Sequence, residues 1–111
     1  MAFGMGIPKS HVVSRRERRI PMEVGVHITG HRALPGTETT FTLNVSPHGA
    51  RVLSTRRWRL NDHLTLSTLT GSFRASARVA YCETVPESGF AVGLEFMEPS
   101  GNWVIAPSAA N

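Results

Sequence analysis

A single cysteine, Cys82, leaves this 111-residue chain no intramolecular disulfide to form. That fits a reducing compartment and an unstapled core, and one domain of this length can bury such a core. Charged residues are scarce at 18%, which, beside 41% hydrophobic residues, argues against wholesale disorder. No apolar stretch approaches the roughly 18 residues of a membrane span. Residues 1–9 hold no continuous apolar run of signal-peptide length. The expectation is a cytoplasmic protein without membrane insertion. Acidic residues are outnumbered, 8 against 12 basic ones, which points to an anionic partner. Aromatic residues are only 7% of the chain, and no convincing helical stretch is present.

What the chain has in quantity is period-two alternation. Met22, Val24, Val26 and Ile28 interleave with polar or small residues, the pattern of a half-buried strand. A second strand follows the Pro35-Gly36 turn, with Thr39, Phe41, Leu43 and Val45 expected inward and Glu38, Thr40, Thr42 and Asn44 outward. Pro47 and Gly49 predict a turn, and Ala50 to Ser54 resumes as a strand. Leu64 and Leu66 anchor a fourth. Phe73, Ala75, Ala77, Val79 and Tyr81 mark the inner side of a fifth, and Phe90, Val92, Leu94 and Phe96 that of a sixth. Six short strands punctuated by turns predict an all-β fold, a barrel or sandwich. Residues 1–13 read as a flexible arm, 14–97 as the domain, and 98–111 as an irregular tail in which Trp103 is expected to dock on the barrel.

Two short motifs carry the chemistry. Ser14 to Arg19 places four arginines, Arg15, Arg16, Arg18 and Arg19, in five positions. Arg15 and Arg19 lie about 13 Å apart if extended or roughly 6 Å apart in a helical turn. Either spacing lets two guanidinium forks reach one compact anion. Arginine pairs bidentately with phosphate or with the O6 and N7 of guanine. The second motif is Asn44-Val45-Ser46-Pro47-His48-Gly49. Strand parity puts Asn44 outward, and Ser46 with it. Their side chains can bond a base edge or hold the turn, while Gly49 gives clearance for a close approach.

Other constellations are weaker. His27 and His31 share a strand and its exit, about 13 Å apart, too far for a common metal. His48 near Ser46 lacks a placed acid or oxyanion pattern, so no catalytic residues and no enzyme activity are expected. Arg56-Arg57-Trp58-Arg59 mixes basic and aromatic groups as single-strand binding surfaces do, yet reads better as a connection with Trp58 packed on the barrel.

Arg-x-x-x-Arg, an alternating strand, Asn-x-Ser-x-x-Gly and a late Gly93-Leu94-Glu95-Phe96 together resemble the PilZ domain family from about Ser14 to Met97. That resemblance implies a six-stranded antiparallel β-barrel of split, Greek-key type, with a mobile basic N-terminal arm and in this chain little or no C-terminal helix. It also implies a receptor for cyclic di-GMP. By matching position, Arg15 and Arg19 are the clamp, Asn44, Ser46 and Gly49 the barrel contacts, and Arg16 and Arg18 extra cations. Asn44 stands where aspartate is commoner. Ser14, just before the clamp, points to one bound ligand rather than a pair. The resemblance thus implies cyclic di-GMP as the ligand; no cofactor and no metal are expected, and an unidentified effector protein is the expected partner. Two alternatives remain open: a PilZ-like interaction module that binds no nucleotide, and a small single-stranded nucleic-acid-binding barrel, nucleic acid being the less expected partner.

Overall fold

The computed structural model describes residues 18–105. Arg15, Arg16, Ser14, the 1–13 arm and the end of the 98–111 tail lie outside these described residues. Seven strands follow one another: β1 (Ile20–Pro21), β2 (Gly25–Thr29), β3 (Glu38–Ser46), β4 (Gly49–Ser54), β5 (His63–Thr68), β6 (Phe73–Val85) and β7 (Gly89–Gly101). No helix occurs among the described residues. The strands hydrogen-bond in the order β1-β3-β2-β5-β6-β7-β4, and β4 returns to β3. Strands β2 to β7 therefore close into a six-stranded barrel in which every pairing is antiparallel. The expected fold class holds. Val26, Ile28, Val45, Val52, Leu66, Val79 and Val92 fill the interior with no exposed surface.

Strand β1 was not expected. It lies along β3 beyond the end of β2, pairing Ile20 with Val45 and Pro21 with Asn44. Thr42 bridges the gap between them: its hydroxyl donates to the Met22 carbonyl at 2.6 Å and accepts from the Val24 N–H at 2.8 Å.

Parity in the first half of β3 is the reverse of the expected one. Thr42 is fully buried while Phe41 is 37% exposed. Thr42 pairs with Val52 and Asn44 with Arg51, so Leu43 is an extra residue, a bulge that flips the strand. Alternating threonines and apolar residues mislead here because a threonine with a satisfied hydroxyl can be buried. Tyr81 is corrected likewise. Val79 pairs with Leu94 and Tyr81 with Gly93, so a bulge at Ala80 turns the tyrosine outward.

The last strand continues through Glu98, Pro99 and Ser100 to Gly101, where an irregular tail was expected. Pro99 is opposite Ala75 in a stretch where β6 is β7's only partner, an edge position that tolerates proline. Trp103 docks as expected. Its ring lies 4.8 Å from Phe73 and 5.0 Å from Phe96, and its indole N–H donates to the Ser46 carbonyl at 2.8 Å.

Two loops, 30–37 and 55–62, fasten together at one end of the barrel. Trp58 is 3% exposed there, with its indole N–H on Ser54 Oγ and the His31 ring at its edge, 4.7 Å away. Asp62 binds the Arg59 N–H at 2.8 Å and the Arg32 guanidinium. Burial pushes the Asp62 carboxyl up, but the Arg59 N–H, Arg32 and His31 together outweigh it and hold it below its ordinary value. A depressed carboxylate pKa stabilises the fold above the unfolded value of about 3.9, and that contribution fades as pH falls through the lower folded value. Asp62→Asn is therefore expected to lower the melting temperature at pH 7 and to flatten its decline below about pH 4, measured by thermal melts from pH 7 to pH 2.

Candidate functional site

Arg19, at the described end of the first motif, meets the second motif on the outer face of the barrel. Residues 46–49 form the tight connection between β3 and β4, with Ser46 paired to Gly49. Serine before Pro47 and glycine after His48 suit a turn of type I, which favours proline second and glycine fourth. Neither Pro47 nor His48 has positive φ. The turn is held from behind, because the His48 carbonyl accepts from the Phe96 N–H at 2.8 Å and the Ser46 carbonyl accepts from Trp103.

Strand β1 brings in the arginine segment. By pairing Ile20 and Pro21 with Val45 and Asn44, it sets Arg19 immediately beside the second motif. Arg19 Nη1 donates to Asn44 Oδ1 at 3.3 Å. This contact joins side chains 25 residues apart, and it is exposed. Arg18 is exposed as well.

Sheet register then extends the site sideways. One row of paired residues runs Asn44, Arg51, Gly93, Tyr81 across β3, β4, β7 and β6. The next runs Ser46, Gly49, Glu95, Arg78 across the same strands. Between Arg19 and these rows lies a cleft of about 260 Å³ lined by Arg19, Ser46, His48, Gly49, Arg78, Ala80, Tyr81, Gly93, Leu94 and Glu95. Of the expected site residues, Arg19, Ser46 and Gly49 line it, and Asn44 touches it through Arg19.

Both glycines of the cleft, Gly93 and Gly49, have a steric reason. A β-carbon on Gly93 would lie 2.1 Å from Tyr81 Cε2, so the tyrosine ring rests on a bare backbone. Arg51 lies over the same ring, its guanidinium carbon 6.0 Å from the centroid. A β-carbon on Gly49 would lie 2.4 Å from the Leu94 carbonyl oxygen. That clearance admits the β7 backbone; from sequence alone it reads as room for a ligand or the arginine segment to pass.

Arg78 and Glu95 are the cleft's opposed charges. Arg78 Nε and Nη2 both donate to Glu95 Oε1, at 3.0 and 2.5 Å, and Nη1 donates to Asn61 Oδ1 at 2.9 Å. In sequence, Arg74 and Arg78 fall on the outer side of the fifth strand, where they could border a ligand but read better as solvent-facing; His48, Tyr81 and Glu95 do not stand out as ligand contacts. The signal for Arg78, Tyr81 and Glu95 was available only through register, since residues from β6 and β7 reach the turn by pairing across β4, whereas His48 lies within the second motif itself.

A larger hollow of about 480 Å³ lies elsewhere on the outer surface, lined by His27, Thr29, Thr37, Thr39, Thr65, Ser67 and Arg74. It contains none of the motif residues and one arginine, so its chemistry is less suited to a multiply charged anion. His27 bonds Thr39 Oγ1 and His31 bonds the Arg57 carbonyl. No group of three or more metal-ligating side chains occurs among the described residues. Among the described residues, no helix is long and apolar enough to cross a membrane.

The PilZ domain family model matches residues 13–102. No curated protein matches the chain.

Proposed function

The chain belongs to the PilZ domain family, and on that premise we propose that it is a cyclic di-GMP receptor whose occupancy regulates a partner protein. The reading assigns Arg15 and Arg19 to the clamp, with Asn44, Ser46 and Gly49 on the wall and Arg16 and Arg18 as supporting cations. One observation carries it: Arg19, the last residue of the arginine motif, bonds Asn44, the first of the barrel motif, beside the cleft. Two guanine bases and two phosphates offer acceptors for several forks at once, and arginine also stacks on purines. Holding the arginine segment around a ligand costs roughly 1–2 kcal/mol of backbone entropy per residue fixed. Charge-assisted bonds at roughly 1.5–3 kcal/mol each offset that cost. The receptor works by binding, without cofactor, metal or catalysis.

The nucleic-acid reading needs exposed aromatic platforms. Trp58 is buried at 3% exposure, and the half-buried Trp103 ring packs against Phe73 and Phe96, so neither tryptophan is a fully exposed platform of that kind. The nucleotide reading is therefore preferred.

Isothermal titration of the chain with cyclic di-GMP, with GTP as control, is the test. Saturable heat at tens of micromolar or below is expected for cyclic di-GMP only, with a stoichiometry near one. Absence of saturation would leave the interaction module that binds no nucleotide as the surviving reading.

A further inference from the structure

We propose that Arg78 is a further ligand-binding residue of this cleft, held in reserve by Glu95 and released to an anionic nucleotide when one enters. The proposal rests on the nucleotide reading above and adds a third arginine, from β6, to those of the N-terminal motif.

Position is the first argument. Arg78 lines the same cleft as Arg19, Ser46 and Gly49, and it shares a register row with the last two. A ligand spanning from Arg19 to the turn passes beside its guanidinium.

The quality of its present bonds is the second. Nε and Nη2 converge on one oxygen of Glu95, Oε1. A guanidinium fork is best matched by two oxygens side by side, which a phosphate presents, or by the O6/N7 edge of guanine. The Arg78 and Glu95 side chains are 34% and 56% exposed, and ion pairs so exposed to water contribute little to stability. Exchanging Glu95 for a phosphate thus improves the geometry and forfeits little.

Electrostatics is the third. Glu95 is the cleft's only carboxylate among the described residues lining it, and it opposes any anion entering. Its pairing with Arg78 keeps that side of the cleft close to neutral. Releasing Arg78 also releases Asn61, which has a positive φ of 71° and whose N–H donates to the Val79 carbonyl at 2.8 Å. Occupancy of the cleft is thereby felt in the 55–62 loop, which carries Arg57, Arg59 and the 64% exposed Leu60.

The test compares cyclic di-GMP titrations of wild type, Glu95→Gln and Arg78→Gln, each checked for folding by circular dichroism and thermal melting. Glu95→Gln removes the competing charge and is expected to bind about three- to tenfold tighter; Arg78→Gln is expected to bind about tenfold or more weakly, the loss of one charge-assisted contact. In wild type the Asn61 side-chain amide resonance should shift on saturation. Glu95→Gln binding no tighter than wild type, or an unmoved Asn61 amide, overturns the proposal. If Arg78→Gln fails to fold, the opposite-signed effect of Glu95→Gln still decides, because that variant keeps Arg78 and the shape of its partner. Wild type that does not bind at all refutes the receptor reading itself, whereas a binding wild type with unaffected variants refutes only the role of Arg78.

Discussion

Arg19→Ala is expected to weaken cyclic di-GMP binding at least a hundredfold and to leave the melting temperature within a few degrees of wild type. The two halves of that expectation have separate grounds. For stability, Arg19 is exposed and its bond to Asn44 is exposed too, at 3.3 Å. Surface contacts of this kind typically change stability by no more than about 0.5 kcal/mol. For binding, a fork pairing bidentately loses two charge-assisted bonds at roughly 1.5–3 kcal/mol each, and every 1.4 kcal/mol is about tenfold. Arg19→Lys keeps the charge without the fork and is expected to fall between wild type and alanine. Arg18→Ala is the matching control one residue away. Equal losses from Arg18→Ala and Arg19→Ala would show that the segment acts as diffuse positive charge, and the clamp reading would fail.

Much of the site was legible because its chemistry is local in sequence. Asn44, Ser46 and Gly49 fall within six residues at the end of β3 and the turn that follows it, and turn residues announce themselves through proline and glycine. The barrel was legible because most strands keep a strict period of two. Where period two broke, so did the reading. The bulge at Leu43 reverses the first half of β3, yet Asn44 faces outward as expected because Val45 behind the bulge does point into the core. The right face was reached through a wrong parity at Phe41. At Ala80 the same device turned Tyr81 from a supposed core residue into a cleft wall.

What sequence could not supply was register between distant strands. Arg78, Glu95 and Gly49 are far apart in the chain and adjacent in one row. Nothing in their neighbours encodes that adjacency; it follows from how β7 pairs with β4 on one side and β6 on the other. The short β1 was equally hidden, since two residues are too few to show a period, although it is the element that seats Arg19 beside Asn44.

The motif glycine gives the second large effect. Gly49→Ala is expected to destabilise the fold by about 3 kcal/mol, the upper range for overpacking, and so to lower the melting temperature by roughly 12–24 °C in a domain of this size. Gly49 is not among the glycines with positive φ, so backbone conformation is no obstacle to alanine there. Space is the obstacle. The added carbon would lie 2.4 Å from the Leu94 carbonyl oxygen, and that oxygen belongs to the β7 backbone, which cannot swing aside as a flexible side chain can. Relief requires β4 and β7 to separate at the Gly49–Glu95 pair, which also displaces Glu95 and with it Arg78. Binding is therefore expected to fall together with stability. Gly36→Ala is the contrasting variant: its φ is 93° and nothing lies within 4 Å of the added carbon, so its cost should be the left-handed penalty alone, about 1–2 kcal/mol, with binding unchanged. Thermal melts and cyclic di-GMP titrations of both variants separate the two uses of a motif glycine. If Gly49→Ala melts like wild type but no longer binds, the residue clears space for the ligand rather than for β7, and close packing of the two strands is not its role.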